Sequence, residues 1–465
     1  MCALSTEKQS DKAVKPEEKL IESSEAYLKE SIWPTQAAIY YQTFERVLDA
    51  FRDYQVNESH FLSVTGYGHN DLGREITDKV FAKALQAEAA LVRPQFVSGT
   101  HAIAVALSGA LGWARQNQSL NNISKKKESP MLLSVTGPPY DTLEEVIGIR
   151  GKSSQSLISQ GFRYQCCTVF SLPESTTPSA NPGVDPVIEH YTPDVFFQDA
   201  DTGTKIADAS VIFIQRSRGY SLRPALTIAQ LAHLIKKLKT INPNAIVMVD
   251  NCYGEFTDVA EPTAVGADLI AGSLIKNPGG GIVPTGGYIA GKHHLIEACA
   301  ERLTCPGIGT EGGYTFDLSR LILQGLYLAP SMVNTALKGM TLAARLFEGQ
   351  GVQTMPACEE TRSDIIQVIV LKDPEKLIQF CQTLQANSPV NSHLSPVPDH
   401  PPGYADAVVM AGGTFIDGST LELSADGPLR PPYAVFLQGG LSYAHTRLAL
   451  SRTLNHAFDL EPLRL

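Results

Sequence analysis

The segment Ile270-Ala271-Gly272-Ser273-Leu274-Ile275-Lys276-Asn277-Pro278-Gly279-Gly280-Gly281 sets one lysine after an apolar run and before consecutive glycines. A lysine is ordinarily a solvated surface residue. Desolvation lowers its pKa, and the neutral amine can then form a Schiff base with a carbonyl compound. Flanking glycines let the backbone lie close to a bound ring, because no Cβ intrudes. Asp250 closes a second apolar run, Ala245–Val249, and opens Asn251-Cys252-Tyr253-Gly254-Glu255. A carboxylate at the end of a buried strand needs a donor or a cation beside it, or its desolvation is costly. A helix cap or turn is the ordinary answer. A protonated pyridine nitrogen is the other, and that pairing makes pyridoxal 5'-phosphate (PLP) an electron sink. Ser98-Gly99-Thr100-His101 stands between a strand-like and a helix-like run, where free amides and the positive helix end suit a phosphate. A plain N-cap reads the same way. Ser273, just before the lysine, makes a phosphate cradle of the two segments together. Tyr140, in Gly137-Pro138-Pro139-Tyr140, is either a turn aromatic packed on its neighbours or a ring that stacks on the cofactor and serves as acid or base.

The elements that must hold these residues are legible around them. Helical patterns cover Lys19–Glu30 and Pro34–Tyr54, the second with Ile39, Phe44, Val47 and Phe51 at roughly helical spacing. Strands are expected at Ala89–Arg93, Met131–Val135, Tyr164–Phe170, Val211–Ile214, Ala245–Val249, Asp268–Ala271 and Gly287–Ala290, with helices at Ala102–Ala114, Leu143–Ile149 and Ile228–Leu238 between them. Apolar strands alternating with helices call for an α/β fold with a mostly parallel sheet covered on both faces. Ligands of such sheets bind beyond the carboxyl ends of the strands, where the polar candidates stand. After a helix near Ser331–Glu348, a second series begins: strand Ile365–Leu371, helix Pro374–Leu384, strands Val408–Met410 and Thr420–Ser424, and a final helix near Ala444–Phe458. The division expected is an N-terminal tail with helices (1–64), a large cofactor-binding domain (65–330) and a small α+β domain (331–465). Pro173 to Pro193 reads as an exposed excursion.

A chain of 465 residues is long for one core. Its formal charge of -10, from 38 basic and 48 acidic side chains, argues against a nucleic-acid partner. The run Lys125-Lys126-Lys127 reads as a solvated loop. Eight cysteines lack metal-ligand spacing and form no CxxC pair, which suits reduced thiols in a cytoplasmic protein; no metal is expected. No run of about 18 apolar residues suggests a membrane span.

Longer stretches carry a resemblance. Thr65-Gly66-Tyr67-Gly68-His69-Asn70-Asp71-Leu72-Gly73-Arg74, Leu91 to Ala102, Pro139 to Gly148, Val249 to Phe256, the lysine segment, Gly412-Gly413-Thr414-Phe415 and Glu422-Leu423-Ser424-Ala425-Asp426 resemble fold-type-I PLP enzymes of the cystathionine and methionine lyase superfamily. The resemblance is to its methionine gamma-lyase-like, or "aluminium resistance", branch, and it runs from about Tyr40 to the C-terminus. It implies that Lys276 holds PLP as a Schiff base and shuttles protons, that Asp250 holds the pyridine nitrogen and that Tyr140 stacks on the ring. Ser98, Gly99, Thr100 and Ser273 would bind the phosphate. Tyr67 would reach the phosphate of a neighbouring subunit, so a homodimer or homotetramer with active sites at the interface is implied. Two departures stand out: Ile275 replaces the threonine that often precedes the lysine, and Tyr67-Gly68-His69 replaces a Tyr-x-Arg pair, with Arg74 further on. Arg430, Arg216 and Arg218 are candidates for the substrate carboxylate, each with a surface ion pair as the plain alternative. The implied reaction is carbon–sulfur β- or γ-elimination from a small sulfur-containing amino acid. The alternative is another PLP reaction, a transferase, racemase or aldolase on a different amino acid. A hard-cation binding role would need clustered carboxylates, and only ordinary acids such as Glu144-Glu145 are present.

Overall fold

The structure is a computed structural model, and it describes residues 16–121, 129–172, 189–401, 404 and 406–457. The Lys125–Lys127 run, most of the Pro173–Pro193 excursion, the first fifteen residues and Phe458 lie outside the described residues. Strands are β1 (Ala89–Arg93), β2 (Met131–Ser134), β3 (Arg163–Cys166), β4 (Phe170–Ser171), β5 (His190–Tyr191), β6 (Val211–Gln215), β7 (Ile246–Asp250), β8 (Leu269–Ser273), β9 (Gly287–Gly291), β10 (Thr354–Met355), β11 (Ile366–Val370), β12 (Val408–Ala411), β13 (Ser424–Pro428) and β14 (Ala434–Gln438). Helices are α1 (Pro16–Glu30), α2 (Trp33–Asp53), α3 (Leu72–Ala84), α4 (Gly99–Asn121), α5 (Asp141–Ile147), α6 (Pro193–Gln198), α7 (Ala200–Asp208), α8 (Ile228–Ile241), α9 (His293–Leu303), α10 (Ser319–Glu348), α11 (Pro374–Ala386) and α12 (Tyr443–Ala457).

Seven strands form the large sheet in the order β1-β9-β8-β7-β6-β2-β3. The pairs from β8 through β3 are parallel, and β9 runs antiparallel to both of its neighbours. The fold is α/β with a mostly parallel central sheet, as its apolar strands predict. β6, β7 and β8 are buried along their whole length because helices cover both faces. One face packs Val47, Val80, Leu234 and Leu323 from α2, α3, α8 and α10. The other packs Ile103 and Leu107 of α4 against Leu295 and Cys299 of α9. Each such fully buried side chain contributes about 1.5–3 kcal/mol.

A second sheet, β10-β11-β14-β13-β12, is antiparallel. Position 331 falls inside α10, a 30-residue helix that continues through Pro330 rather than starting after it. Its first half, Ile322 to Leu337, belongs to the core of the large sheet, and Met340 to Phe347 belong to the core under the second sheet. The N-terminal helices divide the same way: Val47 and Ala50 of α2 join the first core, while Leu20, Ile21 and Leu28 of α1 join the second. Two strand expectations are displaced. Tyr164–Phe170 breaks into β3 and β4, the latter paired with β5 outside the large sheet, and Thr420–Ser424 gives way to β13, which begins at Ser424.

Candidate active site

Register brings the polar candidates together. Gln215 pairs with Asp250 and Asp250 with Ala271, so β6 and β7 end level with each other, and β8 runs two residues further to Ser273, which pairs with Gly287. A cavity of about 800 Å³ opens there, between the large sheet and the inner face of the second sheet. Ser98, Gly99, Thr100, Tyr140, Asp250, Ser273 and Lys276 all line it.

Asp250 is 7% exposed, and the Cys252 amide donates to its Oδ1 at 3.1 Å. Burial pushes its carboxyl up, and Lys276 and the Cys252 hydrogen bonds pull it back. Lys276 follows β8 by three residues, half-buried, with Nζ 3.9 Å from the centre of the Tyr253 ring. Burial opposes its charge, yet Cys252, Tyr253 and Asp250 hold its pKa above the ordinary lysine value. Desolvation alone therefore does not set its state; the surrounding anionic and aromatic groups outweigh it.

α4 begins at Gly99, and the Ser98 hydroxyl caps it by accepting from the His101 amide at 3.1 Å. The first helical bond is Ala102 N to Ser98 O, so the amides of Gly99 and Thr100 precede it at the positive helix end. A Cβ on Gly99 would lie 3.1 Å from Ser273 Cβ and 3.7 Å from Cys252 Sγ. The helix start and the end of β8 are thus pressed together, and glycine is what keeps the space between them open. Thr100 Oγ1 is 2.9 Å from Thr142 Oγ1. This donor set suits the phosphate of PLP, Asp250 its pyridine nitrogen and Lys276 its aldehyde, so the residues present fit that group.

Tyr140 precedes α5; its amide donates to Gln215 Oε1 at 2.8 Å, and its hydroxyl meets that of Tyr404 at 2.5 Å. Burial, then Tyr404 and Tyr253, hold its pKa well above the ordinary tyrosine value, so its hydroxyl is a neutral donor. Sequence reasoning assigned no role to Tyr220, Tyr253, Tyr404 and Asp426, all of which line the cavity. Tyr140, Tyr220 and Tyr404 stand mutually 5.9–6.0 Å apart between ring centres. Burial pushes the Asp426 carboxyl up to about 7, against the pull of Tyr220 and Lys276. The available signals were the place of Tyr253 in the loop just after Asp250 and of Asp426 in a stretch already singled out.

The three arginines are not brought to the cavity. β6 ends at Gln215, and in the loop beyond it Ser217, Gly219 and Tyr220 line the cavity with Gln215 while Arg216 and Arg218 do not. Arg216 is fully buried: Nη1 donates to Asn251 Oδ1 and Gly254 O, both at 2.8 Å, and Nη2 to Thr257 Oγ1 at 3.2 Å. Arg218 and Arg430 line a neighbouring cavity of about 580 Å³ across Tyr140 and Tyr220. Arg430 pairs with Asp406 at 2.6 Å and donates to Tyr220 O at 3.3 Å. No arginine lines the main cavity among the described residues. Tyr67 is 80% exposed and lies outside the cavity of its own chain. Arg74 is buried, with Nη1 donating to Gly68 O at 2.6 Å, and serves the turn that carries Tyr67.

A family model described as methionine gamma-lyase matches residues 17–174 and 186–458. The Bacillus subtilis protein YnbB is 44% identical over 406 residues, which cover 87% of this chain and 88% of that one. A Listeria innocua protein provisionally named a cystathionine beta-lyase involved in aluminum resistance superposes with a TM-score of 0.84 at 40% identity, covering 96% of this chain and 100% of the other. The PLP-dependent Escherichia coli protein YhfS superposes at 0.55 with 16% identity, over 90% of this chain and 97% of its own, a likeness of fold.

Proposed function

The chain belongs to the methionine gamma-lyase family, whose cofactor is PLP, and from that premise we propose that it removes a thiol from a sulfur-containing amino acid. The net change is amino acid plus water to a keto acid, ammonia and a thiol. The observation that carries this reading is the convergence of Asp250, Lys276, Ser273 and Gly99 on one cavity at the carboxyl ends of β7 and β8 and the start of α4. PLP, when bound, supplies the electron sink that lets the bonds at the amino-bearing carbon ionise.

The chain's own residues do the rest. Asp250 would hold the pyridine nitrogen in its protonated form. The amides of Gly99 and Thr100, with the hydroxyls of Ser98 and Ser273, would bind the phosphate. Lys276 would anchor the cofactor, and its free amine would take the proton from the substrate's α-carbon and return protons further along the substrate. Tyr140 would pack against the ring and donate its hydroxyl hydrogen. Tyr253, its ring 3.9 Å from Nζ, would hold the lysine amine in place. Tyr67 reaches the phosphate bound in a neighbouring subunit, which makes the active form a homo-oligomer.

The test is a panel of amino acids offered to PLP-loaded protein, with thiol, ammonia and keto acid measured separately. Equal release of all three from a sulfur amino acid, abolished in Lys276→Ala, is the expected outcome. Keto acid formed without thiol would move the reaction to transamination and overturn the reading.

A further inference from the structure

Behind Lys276 lies a carboxyl group that the mechanism above does not use. Glu255 is 0% exposed. Tyr288 Oη donates to its Oε1 at 2.7 Å, and its Oε2 is buried with no hydrogen-bond partner. Asn277, the residue after the lysine, is also 0% exposed; its Nδ2 donates to the Glu255 carbonyl at 3.0 Å, and its Oδ1 is likewise buried and without a donor. Two orphaned acceptors thus lie on residues joined only from the Asn277 side chain to the Glu255 main chain. An ionised carboxylate held by neutral donors alone in a dry interior costs several kcal/mol. A proton on Oε2 removes that charge. Space around the pair is closed: a Cβ on Gly272 would lie 2.6 Å from Glu255 Oε1 and 2.8 Å from the Tyr288 hydroxyl, so glycine in the strand leading to the lysine is required by this pair.

We propose that Glu255 is a neutral carboxylic acid, and that, packed with Tyr288 against Gly272, it is a positioning residue fixing the strand end that presents Lys276. The charged and titratable groups around it are Tyr288, Glu261, Lys276 and Cys252, and none is a cation within ion-pair distance of the carboxyl. Glu261 is itself engaged by Asn251, by the Phe256 amide and by Arg46, so it offers no proton sink. Burial, the largest influence, pushes the Glu255 carboxyl up to about 8 from an ordinary 4.5, against the pull of Tyr288. Between those values the unfolded chain has released the proton and the folded chain still holds it. Stability therefore declines as pH rises from about 4.5 to about 8 and levels off above. A neutral Glu255 also leaves Asp250 as the carboxylate that governs the charge on Lys276.

Gln reproduces the neutral acid, accepting from Tyr288 and filling the same space; Ala does neither. The experiment compares the infrared protonated-carboxyl band of PLP-loaded wild type with that of Glu255→Gln at pH 6.5 and pH 9, together with cofactor dissociation from both and from Glu255→Ala. The expected result is a component of the band at pH 6.5 that is missing in Glu255→Gln and at pH 9, apart from the share of Asp426, PLP affinity within about threefold of wild type in Glu255→Gln, and a loss of more than tenfold in Glu255→Ala. Urea stability of Glu255→Gln should lose one proton's share of the decline between pH 4.5 and 8. Identical bands in wild type and Glu255→Gln at pH 6.5, or a Glu255→Gln as impaired as Glu255→Ala, overturns the proposal. The band does not depend on which reaction the site performs, so it separates this inference from the lyase reading.

Discussion

Asp250 and Lys276 are opposite charges with different duties, and substitutions should separate them. Asp250→Asn keeps the shape and the bond from Cys252 but cannot hold a protonated ring nitrogen. Its kcat/KM should fall about 100-fold, about 2.7 kcal/mol, with the cofactor still bound. Steady-state kinetics on PLP-loaded protein decides this, and an unchanged kcat/KM would contradict the role given to Asp250. Gly99→Ala inserts a methyl 3.1 Å from Ser273 Cβ, where the phosphate is to sit. Its PLP dissociation constant should rise about tenfold while thermal stability barely moves, measured by fluorescence titration and a melting scan. At this scale the sequence was informative. Asp250 and Lys276 follow apolar runs and Gly99 opens a helix after one, and chemistry beyond strand ends is what an open α/β sheet offers. Tyr220, Tyr404 and Asp426 were not legible as site residues, because tertiary packing of the second sheet and its loops over the first brings them in.

Elements explain where the reading went astray. Past Gln215 the chain turns, and the arginine-rich loop gives Ser217, Gly219 and Tyr220 to the cavity and its cations to other partners. Arg216 instead binds the loops after β6 and β7 together. Arg216→Lys, which cannot fork between Asn251, Gly254 and Thr257, should cost about 3 kcal/mol of stability in urea titrations. Substrate KM should stay within about twofold; a selective rise in KM at unchanged stability would instead make Arg216 a substrate contact. α10 was shortened because proline normally ends a helix, whereas here large apolar surfaces on both cores hold the helix through Pro330. β14, the central strand of the second sheet, escaped notice although Ala434–Leu437 is an unbroken apolar run between Pro432 and Gly439. Short apolar runs of that kind do not declare themselves strand or helix by periodicity.

For the whole molecule, the account joins two cores through α10 and puts the cavity where the two sheets face each other. No helix among the described residues is long and apolar enough to cross a membrane. Tyr67 stands 80% exposed on a turn braced by Arg74, with Leu62, Val97 and Phe316 also exposed. Such apolar exposure suits a subunit interface. If a neighbour's Tyr67 completes each site, inactive Tyr67→Ala and Lys276→Ala subunits refolded together should regain activity, since mixed dimers contain one intact site. No gain on mixing would show that each chain works alone. The most direct test of the central claim is borohydride reduction of PLP-loaded protein followed by peptide mass spectrometry. The account predicts a pyridoxyl mass on Lys276, absent from Lys276→Ala; the mass on another lysine, or on none, would contradict it.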